Sequence, residues 1–307
     1  MPGLKQIKNK IRSVDKTGKV TKAMEAVSAV KMRKTQERAL LGRTYARAAV
    51  EILARMSNSR TLQNHPLMQQ RDPVRALYIV ITSDKGLAGA LNSGVLRAAY
   101  ADMESGKGGK ENIGIIAIGR KANDFFSRRG FMVEAFHSND GDSVSPELIR
   151  EVVNEAAEKF RKKECDIVKI AYQNFISTFE QRSTLRTVFP LSLNELAEVV
   201  NGIVPKHGMF SRTMNPLIEN SSPYTIEPSE EEVVNAILPR LASIFVYHAL
   251  LESHASEHSA RMVAMKSASD KARDLSKELT LDFNKARQAA ITREVSEIIG
   301  GIEAMAV

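Results

Sequence analysis

The sequence predicts an α/β protein in which two long helices, one at each end of the chain, flank a central domain with a mainly parallel sheet. Three observations carry that expectation. Proline is absent between Pro2 and Pro66 and again after Pro239, so both ends of the 307-residue chain lack the residue that breaks helices. Apolar residues at both ends recur in alternating steps of three and four. Between the ends, short β-branched runs alternate with helical stretches and turn residues.

In the first helix Leu4, Ile7, Ile11 and Val14 form one stripe, which resumes more weakly at Val20, Met24 and Val27. Gly18 costs a helix interior about 1 kcal/mol relative to Ala and predicts a kink or a frayed turn there. In the last segment a strict alternation runs through Leu251, His254, His258, Arg261, Met265, Ala268, Ala272, Leu275, Leu279, Asp282, Ala286 and Ala289. A heptad pattern this long is that of a coiled coil. Some 60 residues at a rise of ~1.5 Å reach roughly 90 Å, longer than a compact domain is wide. The seam is rich in Ala, Ser and Met. Such residues let backbones approach but bury little apolar area, so the helix pair should be weak alone and rely on a surrounding partner.

In the centre, Ala76 to Thr82 reads as a buried strand, followed by a helical stretch from Ala88 to Met103. Ser105 to Gly109 is a Gly-rich loop. Ile113 to Ile118 is a second strand, Arg120 to Arg129 a short helix stopped by Gly130, and Phe131 to Phe136 a third strand. Ser145 followed by Pro146 is an N-cap with proline at the first helical position, opening a helix to about Lys163. Asp166 to Asn174 and Arg182 to Phe189 are further strands. Alternation of this kind places helices on the faces of a mainly parallel sheet. Residues 201–228 form a polar connector, and Ser229 with Glu232 is a capping box that starts the C-terminal helical region. The expected division is 1–60, an N-terminal coiled-coil helix; 61–228, the α/β domain and connector; and 229–307, the C-terminal coiled-coil helix.

Hydrophobic residues at 43% and charged residues at 26% are the mix of a folded chain and exclude extended disorder. The formal net charge of +8 is unevenly placed. Residues 1–47 hold 13 Lys and Arg against three acids, a local net of +10, whereas 240–307 hold nine of each sign. One basic arm is a statement about a partner surface. No apolar run approaches the ~18 residues of a membrane span. The basic start MPGLKQIKNK has no apolar stretch behind it, so no secretory signal is expected. The single cysteine, Cys165, excludes an internal disulfide framework and a Cys-based zinc site.

Several motifs carry possible chemistry. His254-Ala-Ser-Glu257-His258 matches H-x-x-E-H, in which two His bind zinc and Glu is the base. The same two His, however, occupy successive seam positions of a heptad that continues on both sides, and no third ligand is marked. The stretch from Thr82 to Gly89 follows a strand and precedes a helix, where phosphate loops lie, but it matches neither the P-loop nor the dinucleotide fingerprint. Gly86 and Gly89 more simply allow a tight turn. A nucleotide-binding α/β enzyme using this loop is one alternative. A basic coiled-coil binder of nucleic acid is another, weakened by Tyr45 being the only aromatic residue of the basic arm. Cys165 shows no activating neighbour and reads as a small packed residue. No catalytic triad or paired carboxylate stands out.

Three stretches carry a resemblance: IKNKIRSVDKTGKVTKAMEAVSAVKMRKTQ (7–36), SDKGLAGALN (83–92) and SEHSARMVAMKSASDKARDLSKELTLDFNKARQAAITREVSEIIGGIEAM (256–305). In order and spacing the chain resembles the gamma subunit family of the rotary ATP synthases along essentially its whole length. Lys16 and Lys271 stand where the family commonly has Asn, Lys85 where it has Arg and Ala90 where it has Gly. The paired-cysteine insertion of the chloroplast form is absent.

The resemblance implies an antiparallel coiled coil of the terminal helices, inside a ring of three alpha and three beta subunits, and a central Rossmann-like α/β domain outside that ring. It implies a central rotor stalk with no bond chemistry, no cofactor and no metal. The stalk would couple rotation of the c-ring, driven by protons, to conformational cycling of beta. Implied partners are alpha, beta, epsilon and the c-ring, with the membrane met only through the c-ring and no nucleic acid. The implied location is the cytoplasmic face of a bacterial inner membrane. By family match Arg287, Gln288 and Thr292 contact a loop of beta, and Lys22, Met24, Lys31 and Arg33 face an acidic segment of beta. Ile298, Ile299, Ile302 and Met305 form an apolar bearing tip, and Tyr224 lies toward the c-ring.

Overall fold

The computed structural model describes residues 4–56, 59–139, 144–192 and 225–305. The chain forms two compact units. One comprises 1–28 and 261–307, the other 29–260. The elements in chain order are α1 (Leu4–Arg55), α2 (Arg60–Gln63), a 3-10 turn (Pro66–Met68), β1 (Ala76–Ile81), α3 (Leu91–Ser105), β2 (Ile113–Ile118), α4 (Arg120–Ser127), β3 (Met132–His137), α5 (Pro146–Arg161), β4 (Ile167–Phe175), β5 (Gln181–Phe189) and α6 (Glu230–Met305).

In the first unit the start of α1 and the end of α6 run antiparallel. Ser276 Oγ donates to Asp15 Oδ1 at 2.6 Å, while Ser269 Oγ meets the Gly18 carbonyl at 3.5 Å. One helix therefore descends as the other climbs. On α1 the sheltered positions include Leu4, Ile7, Ile11, Val14, Gly18, Thr21, Met24, Glu25 and Ser28. The upper half departs from the expected stripe, because Val20 and Val27 are more than half exposed. Gly18 does not fray α1, which runs through it as one helix. It is instead the point of close approach: a Cβ there would stand 3.4 Å from the Ala272 Cβ.

On α6 the sheltered positions include Met265, Ala268, Ser269, Ala272, Ser276, Leu279, Phe283, Ala286 and Ala290. Ala268 is sheltered as expected, but Leu275, Asp282 and Ala289 are exposed, and the sheltered position moves on by one residue at each of them. The reason is chemical. In a seam of small residues the apolar pattern marks two adjacent stripes almost equally. The ring of Phe283 and the Ser276–Asp15 bond favour the second stripe.

The second unit is a five-stranded sheet in the order β3-β2-β1-β4-β5, parallel except for β5. All five strands stand within a residue or two of the expected positions. β1 and β2 are buried on both faces, as their continuous apolar runs require. One face, with Tyr78, Val80, Ile115 and Ala117, packs against Val95, Ala99 and Met103 of α3 and Phe126 of α4. The other, with Leu77, Ile79 and Ile81, packs against Val152, Ala156 and Phe160 of α5 and Leu238, Phe245 and Ala249 of α6.

The capping box at the start of α6 forms as expected: Ser229 Oγ accepts from Glu232 N–H at 3.3 Å and reaches the Glu232 carboxylate at 3.2 Å. α6 also corrects an expectation. It contains an 18-residue window apolar enough to span a membrane by length and composition, and half of that window is buried. Val234, Leu238, Leu241 and Phe245 show what the apolarity is for, since they complete the core of the sheet. At the β2–α4 turn Gly119 adopts φ 102°, and a Cβ there would lie 2.0 Å from the Thr82 carbonyl, so only glycine fits.

Candidate functional site

The crevice at the carboxyl ends of the parallel strands is where an open α/β sheet usually takes a ligand. Here its polar groups are engaged by the protein itself. Ser83 N–H donates to Asn92 Oδ1 at 3.0 Å, and Asn92 Nδ2 donates to Ser83 Oγ at 2.7 Å. Asp84 accepts from Arg120 N–H at 2.6 Å, Ser138 Oγ at 2.7 Å and Asn139 N–H at 2.9 Å. Burial alone would raise this carboxyl's pKa. The three hydrogen bonds outweigh that and hold it below the usual carboxylate range. A carboxylate held ionised in this loop opposes a phosphate, which weighs against the nucleotide-enzyme alternative.

The middle of α6 lies over the same strand ends. His254 Nε2 meets Asn139 Oδ1 at 2.6 Å. Ser256 Oγ donates to the Gln173 carbonyl at 3.2 Å and Ser259 Oγ to the Thr178 carbonyl at 2.6 Å. The H-x-x-E-H stretch is therefore part of a clasp between a helix and a sheet. Among the described residues no cluster of three or more metal-capable side chains occurs. One turn earlier, Glu252 meets Tyr172 of β4 and Arg186 of β5. No sequence signal singled out Glu252, Tyr172 or Arg186, because strand pairing alone brings β4 and β5 together under this turn of helix.

Cys165 is buried beside the ion pair of Arg75 and Asp166, whose charged atoms are 3.0 Å apart. Burial pushes its thiol up to about 12, as suits a packed and unreactive residue.

The outward-facing surfaces of the first unit are of a different kind. Lys22 is exposed and pairs with Glu25 at 3.1 Å, and Met24 is half-buried. Lys22 lies on a groove between the two helices that also presents Lys19, Arg273 and Lys277. Arg287, Gln288 and Thr292 are all exposed on one stretch of α6, with Thr292 Oγ1 donating to the Gln288 carbonyl at 3.0 Å. The antiparallel register sets Lys22 level with about residue 268 of α6, so the Lys22 and Arg287 groups stand roughly 28 Å apart along the coil. They form two stations and not one site.

Leu4, the first described residue, is level with about residue 287 by the same register. Beyond that level the described part of α6 continues as a single helix. Ile298, Ile299 and Ile302 are each more than half exposed there, with Ile291 and Val295 on the same side. Met305 ends the helix, and its side chain lies outside the described residues, as does Tyr224. In the second unit Lys31 is half-buried and Arg33 exposed.

One basic groove and bare apolar helix turns are surfaces suited to bearing on other chains. The chain belongs to the ATP synthase family, whose family model, described as ATP synthase, matches residues 3–305. Among its relatives, the ATP synthase gamma chain of Heliobacterium modesticaldum is 36% identical over 305 residues, covering 99% of this chain and 100% of that protein. The ATP synthase gamma chain of Cupriavidus pinatubonensis is 40% identical with the same coverage. The fold recurs in the Euglena gracilis mitochondrial ATP synthase structure comprising OSCP, F1 and c-ring. There the TM-score is 0.65 at 19% identity, over 98% of this chain and 94% of that one. It recurs also in the central stalk and c-ring structure of Tetrahymena thermophila, with a TM-score of 0.56 at 23% identity, over 81% and 99%.

Proposed function

We propose that this chain is the central rotor stalk of an ATP synthase. It carries torque from a rotating c-ring to three catalytic beta subunits and performs no bond chemistry itself. The observation that supports this most is the antiparallel coil with a small-residue seam, which continues on the C-terminal side as a single helix with exposed isoleucines. Such a helix is poorly served by water and well served by an apolar collar. Full-length similarity to gamma chains supports the same reading.

In this reading Ile298, Ile299, Ile302 and Met305 turn in the collar formed by alpha and beta. Arg287, Gln288 and Thr292 engage a loop of beta. The basic station of Lys22 and Met24, with Lys31 and Arg33 further along α1, faces an acidic segment of beta. Electrostatic pairing suits a moving contact, because it acts at a distance and does not lock one angle. The α/β unit, with Tyr224 in its connector, meets epsilon and the c-ring. The complex sits on the cytoplasmic face of a bacterial inner membrane, and this subunit touches the membrane only through the c-ring. We take 1–60, 61–228 and 229–307 as the functional segments, with the start of α6 also completing the core of the sheet.

Reconstitution tests the proposal. The chain is mixed with alpha and beta from the same source, and the product is weighed by native mass spectrometry and assayed for ATPase. One copy per three alpha and three beta, with hydrolysis dependent on this chain, is expected. Failure to associate with either subunit would overturn it.

A further inference from the structure

Glu252 is a carboxyl set on a helix that crosses a sheet. Its Oε2 is shut off from solvent and has no hydrogen-bond partner. Tyr172 and Arg186 come from the facing strands. Register pairs Ile170 with Arg186 and Tyr172 with Thr184, so the two side chains stand diagonally on the same face, the one that α6 covers. Tyr172 is 4% exposed. On α6 itself, His248 is four residues earlier and also buried, with its Nε2 unpartnered. The charged and titratable groups that act on the carboxyl are therefore Tyr172 of β4 and Arg186 of β5, while His248 is a separate buried titratable group on the same helix.

We propose that Glu252 is a protonation-sensitive latch that fastens the middle of α6 to β4 and β5, and that its grip weakens when the carboxyl loses its proton. A neutral carboxyl can stay buried beside Tyr172 at small cost. An ionised one needs solvation that this site supplies only through Arg186 and the Tyr172 hydroxyl. Burial raises the Glu252 carboxyl to about 7, and the Arg186 charge and the Tyr172 bond offset only part of that rise.

The direction of the effect follows from linkage. An unfolded Glu ionises near ~4.3. Between that value and about 7 the folded chain keeps a proton that the unfolded chain has lost, so stability falls as pH rises through this window and levels off above it. His248 acts in the opposite sense. Burial lowers it to about 4, so its contribution is present above the unfolded His value and is lost as pH falls. Comparing two chains that both keep His248 removes its effect. Tyr172 is raised by burial and stays protonated throughout.

The test is the unfolding equilibrium of the full chain in urea from pH 5 to pH 8, for the parent and for Glu252→Gln, which keeps the shape of the neutral form. The parent should lose stability relative to the variant by about 100-fold in the equilibrium constant across that range, with most of the change below pH 7. A second readout is the infrared band of a protonated carboxyl at pH 6, present in the parent and missing in Glu252→Gln. Parallel pH profiles, or equal infrared bands, would overturn the proposal. Neither measurement involves alpha or beta, so failure here leaves the rotor reading standing.

Discussion

Gly18 is the residue through which the coil can be tested most cleanly, because two substitutions there should act in opposite directions. A Cβ built on Gly18 lies 3.4 Å from the Ala272 Cβ, an ordinary van der Waals separation. Gly18→Ala therefore fits the seam and removes the conformational cost of glycine in a helix interior, a gain of about 0.8–1 kcal/mol. Gly18→Leu adds three more carbons where Ala272 already stands. Overpacking of that kind costs about 1–3 kcal/mol, so the net change is a loss. The first unit comprises 1–28 and 261–307, about 75 residues. For a unit of that size each kcal/mol moves the melting point by about 4–8 °C. Far-UV circular dichroism of the full chain should show its coil transition raised by several degrees for Ala and lowered for Leu. A drop for both would mean the helices are closer than 3.4 Å allows. No effect from Leu would mean that Gly18 faces solvent, and the observed seam would be wrong.

Three other outcomes follow from the same structure. Arg287→Ala removes an exposed side chain with no role in the core, so it should impair coupled ATP synthesis in the assembled complex more than it impairs assembly; equal loss of both would remove the specific contact role. Phe160→Ala should destabilise the α/β unit by about 3–5 kcal/mol in urea unfolding, because the ring is fully buried, stacks on Phe189 at 5.7 Å and carries Arg71 at 4.1 Å. Cys165, buried and with its thiol pushed up to about 12, should resist iodoacetamide at pH 8 in the folded chain and react once urea is added; rapid labelling of the native chain would contradict its packing.

The parts of this fold that sequence made legible are those where one physical signal dominates. β1 and β2 are apolar on every residue because helices cover both faces, and no other element of that length reads so. The start of α5 was legible because Ser145 and Pro146 satisfy the first turn in two independent ways, and the Ser145 hydroxyl does accept from Leu148 N–H. The phase of the coil was not legible in the same way. Ala, Ser and Met place nearly equal hydrophobicity on adjacent stripes, and only tertiary contact decides between Leu275 and Ser276. The apolar window of α6 does not read as one run because Pro239 and Arg240 interrupt the sequence there, whereas the helix continues through them and its apolar residues complete the sheet core. The stations at Lys22 and Arg287 came from resemblance, since exposed polar residues on a helix carry no local signal of what they touch. The Glu252 cluster joins the paired strands β4 and β5 to a turn of α6 far along the chain, and nothing short of the fold assembles it.

The central claim is that this chain turns. Arg97 is exposed on α3 of the α/β unit, and Cys165 is buried, so Arg97→Cys offers a single reactive thiol for a rotation probe. With alpha and beta fixed to a surface and ATP supplied, the probe should rotate in one direction in steps that divide the circle by the three beta subunits. Hydrolysis by the same complexes with the probe held at a fixed angle would contradict the account.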